Sequence, residues 1–157
     1  MLFRGVQQCN PVKSGEAKTS TRGAHSKKEH RKLSEQDLRP PVWVGHVVLE
    51  TDRLEETTQF MHTIGMRPIV KRPEVAVLEL RGGTHLVLLA KAEITPGDAP
   101  FDLMVEDLHE THQRFVDLGL APTPIERVSP EHEGFKLREP AGHTITFYSN
   151  HVSGEPV

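Results

Sequence analysis

The chain has 157 residues, the size of one domain, and can bury a hydrophobic core without disulfides or structural metals. It holds a single cysteine, so it has no internal disulfide framework, and apolar runs such as "LVLLA" at 86–90 are far shorter than the roughly 20 residues of a membrane span. We therefore expect a soluble, cytoplasmic protein with no membrane partner.

Charge is distributed unevenly along the chain. Residues 1–40 carry nine Lys/Arg against four Asp/Glu, a net charge of +5, whereas the whole chain carries −3, which leaves −8 for the remainder. An acidic body lacks the basic surface that nucleic acids require, so we expect no nucleic-acid partner. Residues 1–40 are rich in Ser, Lys and Gly and poor in apolar residues, which predicts a disordered basic tail. A targeting role for this tail stays open, and residues 151–157 are expected to be a flexible C-terminus.

The body contains an internal repeat with a period of 54 residues. Without a gap, "TDRLEETTQFMHTIGMRP" aligns with "VEDLHETHQRFVDLGLAP", so that Leu54 matches Leu108 and Gly65 matches Gly119. Such self-similarity predicts two copies of one structural unit.

Each copy begins with a strand of alternating apolar residues, "VGHVVLE" or "FDLMVE". A helix follows, for which Asp52 or Asp107 is the predicted N-cap and Gly65 or Gly119 the predicted end. Hairpins are predicted at the glycine pair 82–83 and at residues 140–142. The prediction is an α+β fold of two βαβββ modules, 42–90 and 100–149, within a domain at 41–150. Their strands form a cupped mixed β-sheet with the helices on its outer face.

Three segments of the chain, "GHVVLETDRLEE", "FDLMVEDLHETHQRFVDLGL" and "REPAGHTITFYS", carry a resemblance to a known family that covers residues 42–150. They resemble the vicinal oxygen chelate superfamily, which includes glyoxalase I, extradiol dioxygenases, fosfomycin-resistance enzymes and bleomycin-resistance proteins. The resemblance implies the fold and a small-molecule site in the cup. It does not imply one reaction, because members of the family include isomerases, dioxygenases, transferases and drug-binding proteins.

The resemblance also implies where a metal would bind. Family ligands occupy the start of the first strand and an acidic position in the last strand of each module. His46 matches, but the other three positions hold Pro100, Val87 and Thr146. The chain therefore keeps one of the four ligand positions of the usual metal site, whereas a catalytic divalent ion generally needs three protein ligands.

Strand alternation nevertheless places other polar side chains on the cup face. We expect His46 and His85 as metal ligands and Glu79 and His85 as catalytic groups. The expected substrate-binding residues are Asp102, Met104, Lys136, Thr144, Thr146 and Tyr148. In the alternative interpretation Glu79 pairs with Lys136, Arg81 or Arg138, and the histidines are ordinary hydrogen-bonding residues of the sheet.

The sequence thus predicts a glyoxalase- or dioxygenase-like protein that binds a small polar or aromatic metabolite. If it is catalytic, the resemblance implies lyase, isomerase or dioxygenase chemistry with a divalent Mn, Fe, Ni or Zn ion. The alternative is a metal-free binding dimer of the bleomycin-resistance kind, and a third option is a purely structural or regulatory dimer. A homodimer is expected in each case, and whether modules pair within one chain or between two stays open.

Overall fold

The computed structural model describes residues 41–130 and 132–149. The predicted N-terminal tail at 1–40 and the C-terminal segment 151–157 lie outside the described residues. The first module comprises β1 (His46–Thr51), α1 (Leu54–Ile64), β2 (Arg67–Arg72), β3 (Val75–Glu79) and β4 (His85–Ala90). The second comprises β5 (Leu103–Val105), α2 (Leu108–Asp117), β6 (Glu126–Arg127), β7 (Glu133–Arg138) and β8 (Thr144–Ser149).

The strands form two four-stranded sheets, one in each module. The order is β1-β4-β3-β2 in the first sheet and β5-β8-β7-β6 in the second. In both sheets the first strand pairs in parallel with the last, and the other pairs are antiparallel. The predicted α+β fold of two βαβββ modules is confirmed, with the mixed sheet divided into two.

One face of each sheet is covered by the helix of its module. In the first sheet Leu78, Leu86 and Leu88 are fully buried, and α1 adds Met61 and Ile64 to the same core. In the second sheet the core is aromatic, with the rings of Phe135 and Phe147 stacked at 5.0 Å and the edge of Phe115 against both (5.9 and 5.3 Å). The alternation of the strands accounts for this core, because every second side chain faces the helix.

The helix ends agree only partly with the sequence analysis. Asp107 caps α2, where its carboxylate accepts a hydrogen bond from the Glu110 backbone N–H at 2.8 Å. The predicted Asp52 cap of α1 is wrong, because the residue before this helix is Arg53 and no side chain caps it. The hydroxyl of Thr51 instead accepts from the Arg53 N–H at 3.0 Å. Gly65 ends α1 as predicted, with a φ of 123°.

A buried polar network connects the two modules. Glu139, at the tip of the β7–β8 hairpin, is 2% exposed and accepts a hydrogen bond from the Thr57 hydroxyl of α1 at 2.9 Å. Its carboxylate also accepts from the backbone N–H groups of Ala141 and His143, at 3.0 and 2.9 Å. Because Thr57 donates to Glu139, the hydroxyl of Thr51, 2.9 Å from that of Thr57, must donate to Thr57. Neither helix of the described residues is long and apolar enough to cross a membrane.

Candidate functional site

Four polar residues form a row across the face of the first sheet that α1 does not cover. The register places His46 opposite His85, His85 opposite Glu79, and Glu79 opposite Arg67. We call these four residues the histidine row. The rings of His46 and His85 lie 5.4 Å apart, at an angle of 30°. Strand alternation in the sequence predicts that the two histidines and Glu79 share a face, and the structure brings them together as direct cross-strand neighbours.

The carboxylate of Glu79 has an ion-pair partner that was not predicted from the sequence. Arg67 donates to Glu79 Oε2 through Nε at 2.7 Å and also through Nη2. The partners expected from sequence were Lys136, Arg81 or Arg138, none of which pairs with Glu79; Arg81 pairs with Glu106 instead. Glu79 therefore belongs to an ion pair, which opposes its use as a free base or ligand.

An apolar row lies next to the histidine row on the same face. The register aligns Val48, Val87, Val77 and Val70 across the four strands, and we call these residues the valine row. Val48 is 43% exposed and the other three are half-buried. No helix of the module covers them, so this sheet face presents apolar surface within the part of the chain that is described.

The second sheet carries a concavity of about 660 Å³ on its corresponding face. Four of the predicted substrate-binding residues line it: Asp102, Lys136, Thr146 and Tyr148. All its lining residues lie between Asp98 and Tyr148, so the histidine row is not part of it. The single cup expected from sequence is therefore divided, within one chain, between two sheet faces.

The other two predicted substrate-binding residues lie outside this concavity. Met104 is opposite Tyr148 in the register but lines two clefts beside β5, together with Leu103 and Leu80. Thr144 begins β8, where its backbone N–H donates to the Gly97 carbonyl and its carbonyl accepts from Ala99 N–H, both at 2.8–2.9 Å. The linker thus adds a short pairing at this end of β8.

Strand pairing also corrects one equivalence between the repeats. The sequence pattern predicts that Glu79 and Lys136 occupy equivalent points of the repeat. The pairs nearest the hairpin turns are Glu79 with His85 and Arg138 with Thr144, so Glu79 is equivalent to Arg138. Lys136 is equivalent to Val77, because these residues pair with Thr146 and Val87 respectively.

The position of Tyr148 depends on a glycine in the neighbouring strand. Gly134 is opposite Tyr148, and a Cβ atom on Gly134 would lie 3.0 Å from the Tyr148 ring and 2.7 Å from the Phe147 carbonyl oxygen. The absence of a side chain at Gly134 therefore lets the tyrosine ring lie against the strand. The ring of His132, the residue before β7, lies 5.7 Å from the ring of Tyr148.

The described residues contain no group of three or more His, Cys, Asp or Glu side chains arranged to hold a metal ion. The histidine row supplies two neighbouring imidazoles, and its one carboxylate is bound by Arg67. Two imidazoles fit part of a transition-metal site but fall short of the usual three protein ligands. A metal on this row would therefore need a further ligand from outside the described part of the chain.

The same fold occurs in solved structures of low sequence identity. A lactoylglutathione lyase from Agrobacterium tumefaciens is 18% identical with a TM-score of 0.63, and the match covers 74% of this chain and all of that one. A glyoxalase/bleomycin resistance protein/dioxygenase from Alicyclobacillus acidocaldarius is 18% identical, with a TM-score of 0.56 over 74% of this chain and 96% of that one.

A fosfomycin resistance protein from Listeria monocytogenes is 16% identical, with a TM-score of 0.57 over 71% of this chain and 95% of that one. No family model and no curated protein matches the sequence. The likeness establishes that this chain has the fold of these proteins, which is the fold that the sequence resemblance implied. It leaves the reaction open, because one fold hosts several reactions.

Proposed function

We propose that this protein binds a small molecule in the concavity of the second sheet. The observation that carries the proposal is the convergence of Asp102, Lys136, Thr146 and Tyr148 on one depression of about 660 Å³. This volume lies in the range of small-molecule sites, which combine an apolar lining with a few polar groups. Phe101, Pro124 and Val128 supply the apolar part of the lining.

A fragment screen by NMR tests this proposal, since the 17.6 kDa chain suits amide chemical-shift mapping. We expect bound fragments to shift the amide resonances of residues 134–136 and 146–148. Thr146→Val and Lys136→Met should weaken the binding of these fragments. Thr144→Val is the matched control, because Thr144 lies two residues away on the same strand and face but outside the lining. Equal effects of the two threonine substitutions, or hits that map elsewhere, would contradict the proposal.

A second candidate function is catalysis with a divalent ion on His46 and His85. The cross-strand pair of imidazoles favours it, and two of the structural neighbours are named as a lyase and as a dioxygenase-family protein. If this function is correct, the purified protein contains Mn, Fe, Ni or Zn in near-stoichiometric amounts. Both His46→Ala and His85→Ala should then lose the metal. Metal-free protein that stays so after incubation with these ions would leave the metal-free binding protein as the function.

We further propose that the protein is a homodimer in which the valine row of one copy is covered by the second sheet of the other. Arg72, on the same face as the valine row, forms no ion pair with a described residue, and neither does Asp98, which lies beside the second sheet. Opposite charges and an apolar centre favour such a contact. It would bring the histidine row over the concavity and complete the expected cup.

Sedimentation velocity tests the dimer. Val77→Glu is expected to give monomers, whereas Val116→Glu, on an exposed position of α2, is the control and should leave the dimer intact. A wild-type monomer at micromolar concentration would refute the dimer without affecting the ligand site.

We also propose the domain bounds 41–150, and a cytoplasmic location is supported by the lack of any pair of cysteines.

A further inference from the structure

Four charged side chains line the concavity without an ion-pair partner among the described residues. Asp98, Asp102, Glu126 and Lys136 line it, and none of their side chains makes an ion pair or hydrogen bond with another described residue. By contrast, Glu79 on the first sheet is bound by Arg67. Three carboxylates against one ammonium leave the lining with an excess of negative charge.

The negative part of the lining includes an aromatic ring. Tyr148 is half-buried and lies opposite Gly134, which is in turn opposite Glu126, so the glycine leaves no side chain between the tyrosine ring and this carboxylate. Carboxylates attract an ammonium group by charge, and an aromatic ring adds attraction through its quadrupole. This combination favours an organic amine over a neutral or anionic ligand.

The positive part of the lining is smaller and includes a free hydroxyl. Lys136 is directly opposite Thr146, and the Thr146 hydroxyl makes no hydrogen bond with a described residue although the residue is half-buried. An ammonium group and a hydroxyl donor on neighbouring strands suit the carboxylate or phosphate group of a ligand. Thr123 is less available, because its hydroxyl already accepts from the Lys136 backbone N–H at 2.8 Å.

From this arrangement we infer that the ligand is a small zwitterion, with its amine facing Glu126 and Tyr148 and its acidic group facing Lys136 and Thr146. The inference deepens the proposed function, because it names the class of molecule that the concavity takes. Each charged group of the ligand meets one protein group of opposite charge, Glu126 or Lys136, that has no ion-pair partner among the described residues.

Three probes of similar length test the inference by amide NMR titration: L-lysine, cadaverine and glutarate. L-lysine should bind best, because it carries amines and a carboxylate, cadaverine should follow, and glutarate should bind weakest. Glu126→Gln should weaken the binding of L-lysine and of cadaverine about threefold, as expected for a solvent-accessible ion pair. The control Glu74→Gln, in the distant β2–β3 turn, should change neither.

Lys136→Gln separates the two ends of the ligand. It should weaken L-lysine about threefold and strengthen cadaverine, since the substitution removes a cation that attracts the carboxylate and repels the amines. Raising the salt concentration should weaken L-lysine and cadaverine in the wild type.

The inference is overturned if glutarate binds as tightly as L-lysine, or if Lys136→Gln affects L-lysine and cadaverine alike. It is also overturned if neutral fragments shift the lining amides but none of the three probes does. If no fragment of any charge shifts these amides, the proposed function itself fails, so the two failures are distinguishable.

Discussion

Removing the Thr57 hydroxyl from the buried network between the modules should lower the free energy of unfolding substantially. In Thr57→Val the shape and helix propensity of the side chain are nearly kept, but the bond to the buried Glu139 carboxylate is lost. A hydrogen bond to a charged group contributes about 1.5–3 kcal/mol. The buried Thr51 hydroxyl also loses its acceptor, which costs about 1 kcal/mol more. The expected loss in the free energy of unfolding is therefore about 3 kcal/mol.

Urea denaturation monitored by circular dichroism measures this loss. With a slope of about 2 kcal/mol/M, the unfolding midpoint should fall by roughly 1.5 M. Thr58→Val is the matched control, because Thr58 is the next residue of α1, is 5% exposed, and donates only to the Leu54 carbonyl of its own helix. That substitution should cost about 0.5 kcal/mol. Equal midpoints for the two variants would refute the view that the network stabilises the contact between modules.

Three further predictions concern buried positions. Glu139→Gln should lower the free energy of unfolding by about 2 kcal/mol in urea, because both carboxylate oxygens accept hydrogen bonds and an amide NH₂ must then face a donor. Gly134→Ala should cost about 1–3 kcal/mol by the same measurement, since its Cβ would lie 2.7 Å from the Phe147 carbonyl oxygen. Phe115→Ala should cost about 3–5 kcal/mol, because Phe115 is fully buried, whereas the neighbouring Val116→Ala, at a position 45% exposed, should change the thermal midpoint little.

The repeat and the periodicity of the sequence were enough to predict both modules. Strand alternation has a period of two and the helices a period near 3.6, so the pattern identifies the core face of each element without knowledge of its neighbours. Leu49 and Phe147 are buried for this reason. The prediction of an Asp52 cap was wrong because competing local hydrogen bonds decide where a helix starts. Here the hydroxyl of Thr51 accepts a hydrogen bond from the Arg53 backbone N–H.

The candidate site was harder to predict, because it depends on pairing between strands. Arg67 reaches Glu79 through the register of β2 on β3, which shifts between Pro68 and Val70, and no periodicity reveals such a shift. Asp98 and Glu126 escaped prediction because they lie in a linker and in a strand of two residues, both too short for an alternating pattern. Residues on long strands, such as Lys136 and Thr146, could be placed on the correct face.

The two copies of the repeat agree where they face their helices and differ where they do not. On the covered faces, Leu78 and Leu86 in the first sheet correspond to Leu137 and Ile145 in the second, and all four are buried.

On the uncovered faces the paired residues Val77 and Val87 correspond to Lys136 and Thr146. Packing against a helix accounts for the common apolar side chains but imposes nothing on the other face. An apolar pair suits contact with another surface, whereas an ammonium and a free hydroxyl beside unpaired carboxylates suit a polar ligand. The difference between the copies therefore favours separate roles for the two uncovered faces: the first sheet supplies the apolar centre of the dimer contact, and the second sheet binds the ligand.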